Sequence, residues 1–399
     1  MIDRILLLPI IIPFIAAVIV FLVPKRLRWL VQAFVLSAVT LKLCVAIALF
    51  GKSADFSLPW LGMGLEFVLR LYHFNSFINL AIACFGFLIA VYSVMFMRDK
   101  PYLKQFFGCF LLSLAFASGV VISDNLAAML FFWEGSLLAL FGMISAGSKN
   151  AFKTASKAFI IVGITDLCML LGIALTGSLA GTLRISAINL SLGGAGSVAF
   201  ILLMIGAISK SGSMPFHSWI PDAAIDAPLP FMALIPAAIE KLMGIYFLTR
   251  ISLDMFKLMP GSGLSILLMS VGALTIILAV MMALIQKDYK KLLSYHAISQ
   301  VGYMVLGIGT ALPIGIIGGI FHMVNNALYK SCLFLTGGAV ERQAGTTNLE
   351  NLGGLGKKMP VTFACFIIAA LSISGVPPFN GFFSKELIYD GALKAGLIF

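Results

Sequence analysis

Long uninterrupted apolar runs dominate the chain. They lie near residues 5–23, 29–50, 74–97, 105–122, 125–145, 156–178, 197–224, 229–250, 263–285, 292–310, 312–338 and 360–399. A helix that crosses a bilayer needs roughly 20 apolar residues. The pattern therefore predicts an all-α polytopic membrane protein with about twelve transmembrane helices. Membrane strands are alternating segments of about 10 residues, which these continuous runs do not resemble. The first run is not read as a leader peptide. It lacks a clear cationic start and a small-residue cleavage pattern, and a second run follows almost at once.

Composition agrees with the pattern. Of 399 residues, 61% are hydrophobic and 11% charged, and the mean hydropathy is +1.07. A soluble domain runs near ~45–50% apolar and ~25% charged. The balance excludes a soluble enzyme, a nucleic-acid-binding protein and a disordered chain. The net charge of +11 must then be placed relative to the bilayer. Cations cluster in every other loop: Lys25, Arg26, Arg28; Arg98, Lys100, Lys104; Lys149, Lys153, Lys157; Lys287, Lys290, Lys291; Arg342, Lys357, Lys358. The N-terminus and intervening loops carry Arg4, Lys52, Arg70, Arg184, Arg250 and Lys257. The positive-inside rule then puts the N-terminus outside. The six cysteines all fall within runs and form no CxxC spacing. They read as small packing residues rather than cluster or zinc ligands.

Six lysines remain inside apolar runs: Lys42, Lys210, Lys241, Lys330, Lys385 and Lys394. Each costs roughly 2.5–3.5 kcal/mol near a helix centre. Lys42 and Lys394 are read as snorkelling towards an interface. The other four stand among polar residues, which suggests a hydrated path. Glu134, Asp166 and Glu240 supply intramembrane carboxylates. Structural ion pairing is the simpler explanation for any one of them, and charge transfer the better one for the set. His322, Asn326 and Lys330 are spaced i, i+4, i+8. They share a helix face and form a polar stripe about 12 Å long.

Two segments share Ser-Gly-x-x-Pro-Phe, at Ser211–Phe216 and Ser374–Phe379, 163 residues apart. Proline removes a backbone donor and glycine permits unwinding. Breaks are therefore expected at Gly212 and Pro215, and at Gly375, Pro377 and Pro378. An ordinary proline kink is the plainer alternative. Paired interrupted spans in corresponding halves point to a transporter's ion path, and a lysine sits by each, Lys210 and Lys385. The breaks fall five spans apart, so the second copy runs inverted. The expected organisation is N-terminal helices over 1–104, a first inverted repeat over 105–258 and a second, incomplete, over 259–399.

The constellation resembles the antiporter-like, proton-conducting membrane subunits of complex I, of group 4 membrane-bound hydrogenases and of Mrp-type Na⁺/H⁺ antiporters. The resemblance covers nearly the whole chain. It rests on Glu134 in the fifth span, Lys210 followed by PFHSWIPDA, Lys241 in the eighth and KKLLSYHAISQVGYMVLG at 290–307. His322 and Lys330 in the eleventh span and GVPPFNGFFSK at Gly375–Lys385 complete it. Asn326 and Pro236 stand where some members carry histidine. His296 and the run Glu240–Arg250 resemble the hydrogenase-linked branch. The family has fourteen core helices, so the chain reads as truncated or split within or just after its twelfth.

The resemblance implies a proton-translocating, or Na⁺-translocating, subunit of a redox-driven respiratory complex in a prokaryotic inner membrane. Glu134 would pair with Lys210 and hold it charged, since an opposite charge favours the ammonium and burial disfavours it. Lys241, His296, His322 and Lys330 would continue the relay to Lys385. Asp166, His217, Asp222, Glu240 and Asn326 would support it. No cofactor or metal is expected in this chain, because it carries no Rossmann fingerprint, P-loop or cysteine cluster. A haem held by its four histidines is the weak alternative, and no CxxCH is present. Partners would be other membrane subunits of a complex I-like, hydrogenase or Mrp assembly, in lipid and without nucleic acid. An Mrp-type secondary antiporter without electron transfer is the main rival.

The charge asymmetry has a direct test. In a background freed of the native cysteines, Lys52→Cys should react with an impermeant maleimide on intact cells, and Lys287→Cys should not. The reverse pattern would invert the orientation.

Overall fold

The computed structural model describes residues 2–24, 26–60, 62 and 65–396. Lys25 of the first cationic cluster and the terminal residues 397–399 lie outside them. The fold is a multi-pass helical bundle. Its main helices are α1 (Leu8–Leu22), α2 (Arg28–Leu49), α3 (His73–Phe96), α4 (Leu103–Ile122), α5 (Leu126–Ile144), α6 (Ala151–Ala180) and α7 (Ala195–Ser211). After them come α8 (Trp219–Asp226), α9 (Leu229–Met255), α10 (Gly263–Leu284), α11 (Tyr289–Gly309), α12 (Pro313–Ala344), α13 (Pro360–Ser374) and α14 (Asn380–Lys394). Among the described residues, seven helices are long and apolar enough to cross a membrane: α2 to α6, α9 and α10.

One element departs from the all-α expectation. Residues Ala54–Pro59 (β1) and Glu66–Leu71 (β2) pair as an antiparallel hairpin. Both alternate in character, as in Asp55-Phe56-Ser57-Leu58 and Leu69-Arg70-Leu71. That period suits a half-buried strand, and Val68, Leu69 and Leu71 are buried.

Two compact units are present. The first comprises Met1–Leu203 with Asp254–Phe256, the second Met204–Leu253 with Lys257–Phe399. In the first, α4 is buried on nearly every side and packs on α1 and α5. An asparagine cap, Asn125, receives the Ala127 and Ala128 amides at the start of α5. In the second, α9 is buried all round. Its charged residues Glu240, Lys241 and Arg250 are buried with the rest.

Close helix approach in the second unit depends on glycine. A Cβ on Gly302 would lie 2.5 Å from Gly272 O and 2.9 Å from Ile276 N, so α10 and α11 meet backbone to backbone. Small residues allow this contact, and dispersion then holds helices that have no hydrophobic drive towards one another in lipid. Gly302→Val should push the helices apart and cost about 1–3 kcal/mol. Thermal unfolding of the purified protein in detergent measures the loss.

Candidate functional site

The site begins where helices stop. In the second unit α7 ends at Ser211 and helix resumes at Trp219. Gly212 turns the chain with φ +80°, a conformation that L side chains rarely adopt. A Cβ there would meet Ile220 Cδ1 at 2.4 Å and lie 3.5 Å from Lys241 Nζ. The break thus makes room for a buried lysine. Lys210 occupies the last turn of α7 and is itself buried. Free carbonyls gather at a helix C-terminus and favour a cation. His217 is half-buried, with its ring centroid 6.4 Å from that of Tyr295. Asp222 is half-buried in the first turn of α8.

Helix α9 carries π-wound turns at Ile235–Ile239 and Ile251–Met255. Pro236, inside the first, has no amide to donate. Two carbonyls of this stretch bond side chains of α12: Ser331 Oγ donates to Ala233 O at 2.8 Å, and Asn326 Nδ2 to Ala237 O at 3.2 Å. Glu240 and Lys241 follow directly and are buried. Among the described residues no protein atom accepts a hydrogen bond from Lys241 Nζ.

The i, i+4, i+8 stripe of α12 is fully buried. Lys330 Nζ donates to Leu293 O on α11 at 2.9 Å. His322 is gripped on both ring nitrogens. Nδ1 lies 2.9 Å from Ser384 Oγ on α14, and Nε2 lies 3.1 Å from Gln300 Oε1 and 3.3 Å from Tyr329 Oη. Tyr329 Oη also donates to Gln300 Oε1, and Gln300 Nε2 to Ser299 Oγ. Gln300 therefore presents its carbonyl, and Nε2 of His322 carries a proton. Ser384 Oγ is also 3.2 Å from Gly381 O. Its single proton goes to Nδ1 when the imidazole is neutral, and to Gly381 O when Nδ1 is protonated. Turning one hydroxyl keeps the Nδ1 hydrogen bond in either case.

Helix α13 stops at Ser374, Gly375 takes φ +78°, and α14 begins at Asn380. Lys385 reaches back to Ile373 O at 2.6 Å, a carbonyl of the last turn. It lies 5.1 Å from the Tyr303 ring centroid, within cation–π range. A cleft of about 730 Å³, lined by Ser374, Gly375, Lys385, Glu386, Tyr389 and Asp390, leads to this lysine. Pro377 and Pro378 form the turn between α13 and α14. Asn325 and Asn380 exchange hydrogen bonds of 2.9 and 3.0 Å, tying α12 to the start of α14. His296 is half-buried on α11.

In the first unit Glu134 lies on the exposed face of α5, in line with Phe131 and Leu138. Its neighbour Trp133 is buried and donates Nε1 to Asp166 on α6 at 2.8 Å. Glu134 and Lys210 belong to different units.

One lysine overturns its expectation. Lys42 does not snorkel; it is 1% exposed. Its Nζ donates to Pro9 O at 3.0 Å, Leu114 O at 3.2 Å and Ser118 Oγ. Pro13, inside α1, lacks the amide that would bond Pro9 O. The orphaned carbonyl captures the ammonium. A proline four residues after Pro9 was the available signal. Lys394 is exposed and paired with Asp390 at 2.9 Å. The cysteines are mixed: Cys109 is buried, while Cys44 and Cys365 are exposed on helix faces turned away from the packed interior. Sequence reasoning also missed Gln300, Tyr303, Tyr329 and Ser384, which gain meaning only through neighbours on other helices.

These features define a polytopic membrane protein with a buried, titratable interior. The chain belongs to the family described as "NADH:quinone oxidoreductase/Mrp antiporter, TM", which matches residues 123–399. It is 35% identical over 346 residues to NADH-quinone oxidoreductase subunit L of Mycobacterium tuberculosis, covering 85% of this chain and 54% of that protein. It is 32% identical over 380 residues to a Na(+)/H(+) antiporter subunit of Alkalihalophilus pseudofirmus, covering 88% and 46%. The chain spans about half the length of the curated relatives it matches. Its fold superposes on a chain of an archaeal membrane-bound sulfane sulfur reductase with a TM-score of 0.86 and 27% identity, covering 100% and 83%. On a chain of the Mrp complex of Dietzia sp. the TM-score is 0.90 at 24% identity, covering 100% and 76%.

Trp133→Phe deletes one donor to the buried Asp166 carboxylate. It should cost about 1.5–3 kcal/mol, as expected for a hydrogen bond to a charged group, read as a lowered unfolding temperature.

Proposed function

We propose that the chain is the ion-translocating membrane subunit of a redox-driven respiratory complex, moving protons or Na⁺ through a mid-membrane relay. The observation that carries this reading is the state of the buried cations in the second unit. Lys330 is held by a neutral oxygen, and His322 sits among hydroxyl and amide groups that suit both of its charge states. Charges held this way are free to exchange, whereas a tight ion pair would fix them. Lys241 Nζ and Asn326 Oδ1 are buried without a protein hydrogen-bond partner among the described residues. Such atoms call for water, and water would complete the relay.

In this reading Glu134 is the carboxylate gate, Lys210 the first proton carrier and Lys241 the lateral acceptor. His296, His322 and Lys330 continue the path, and Lys385 exchanges with the cleft beside it. Asp166, His217, Asp222, Glu240 and Asn326 shape the surroundings. The same proposal includes twelve spans, an external N-terminus and two inverted repeats. The repeats take 105–258 and 259–399, broken at Gly212/Pro215 and Gly375/Pro377/Pro378. The electron chemistry and the driving force belong to other proteins of the complex. A second reading, membership of an Mrp-type secondary antiporter, is favoured by the likeness to a Na(+)/H(+) antiporter protein. Chains that co-purify separate the two: redox proteins support the first, antiporter components alone the second.

Lys210→Ala, Glu134→Gln, Lys330→Met and Lys385→Met should each lower ion translocation by the assembled complex by about 10²-fold, with assembly retained. Proton uptake by reconstituted vesicles reads it. Unimpaired uptake in all four would mean that the proposed axis is wrong, and the chain would then be a scaffold.

A further inference from the structure

A second polar site lies in the first unit, away from every residue assigned above. The start of α2 and the end of α3 enclose a cleft of about 490 Å³. Arg26, Arg28, Trp29, Gln32, Met95 and Arg98 line it. Arg28 opens α2, and its Nη1 donates to Arg98 O just past the end of α3, at 3.4 Å. Gln32 Nε2 donates to Val94 O at 3.2 Å and ties the two helices at the cleft floor.

Arg26, Arg28 and Arg98 all line this one cleft. Asp99 also lines the cleft, yet among the described residues it forms no ion pair with any of them. The N-terminus of α2 has no side-chain cap, so its first amides add to the positive field. Topogenic charge needs only the correct side of the membrane. It does not require convergence on one cleft.

The walls indicate the ligand. Trp29 is exposed, and tryptophan settles at the headgroup level of a bilayer. Below the cleft, Met95, Val91 and Leu88 are exposed at spacings of four and three residues along α3. They share one helix face and run from the arginines towards the hydrocarbon. We propose that this cleft binds the phosphate headgroup of an anionic phospholipid, with an acyl chain along the Leu88–Val91–Met95 stripe. Arginine supplies a planar fork that matches phosphate oxygens in pairs. A zwitterionic headgroup would bring its own cation against the three guanidiniums.

The test is native mass spectrometry of the full chain in nonionic detergent with equimolar dioleoyl phosphatidylglycerol and dioleoyl phosphatidylcholine. The protein should retain the anionic lipid in about tenfold preference. Arg28→Gln with Arg98→Gln should bring the ratio near unity. Removing cations can also disturb insertion, so a second variant keeps the charge. Arg26→Lys, Arg28→Lys and Arg98→Lys together should lower the preference about threefold through loss of paired hydrogen bonds. A third arm adds inorganic phosphate alone. An unchanged lipid preference in both variants overturns the proposal. So does arginine-dependent binding of inorganic phosphate without lipid preference, which would mark a free-anion site.

Discussion

A backbone carbonyl inside a bilayer has no water to bond, and that constraint organises this protein. At several irregular places in the helices a polar side chain meets a backbone carbonyl. Pro9 O captures Lys42, Ile373 O captures Lys385, and the carbonyls of Ala233 and Ala237 take Ser331 and Asn326. Lys42 and Lys385 are thus not isolated charges placed in apolar surroundings. They are donors drawn to acceptors that irregular helix geometry left open. The breaks and the cations are two sides of one arrangement, and neither would be tolerable alone.

Glycine makes this arrangement compact. At Gly212 and Gly375 the left-handed backbone ends a helix. At Gly272 and Gly302 the missing Cβ lets α10 and α11 touch through their main chains. The first kind creates polar sites and the second excludes lipid from around them. An interior that holds charge must be sealed by packing, because dispersion is what remains when lipid is as apolar as leucine.

Much of this was legible in the amino-acid pattern. The apolar runs match helices to within a few residues, except that α6, α9 and α12 extend further, the runs 197–224 and 360–399 each divide into two helices, and the 54–71 hairpin falls where a loop is expected. Alternation over six residues was the overlooked sign there. The stripe of His322, Asn326 and Lys330 follows from helical spacing alone. Lys42 was misread because proximity to a run's end suggested an interface, whereas Pro13 on another helix decided its fate. Gln300, Tyr329 and Ser384 could not be found by spacing. Each becomes chemical only when α11, α12 and α14 bring it to His322, and such convergence is a property of tertiary packing.

The hydroxyl of Ser384 has a kinetic consequence. It can face His322 Nδ1 or Gly381 O, but never both at once. Switching the hydroxyl between these partners therefore takes one bond rotation and no displacement of a helix. Small side-chain rotations run on picosecond to nanosecond scales, and helix shifts on microseconds or longer. The Ser384 hydroxyl can therefore turn many times between any two helix movements.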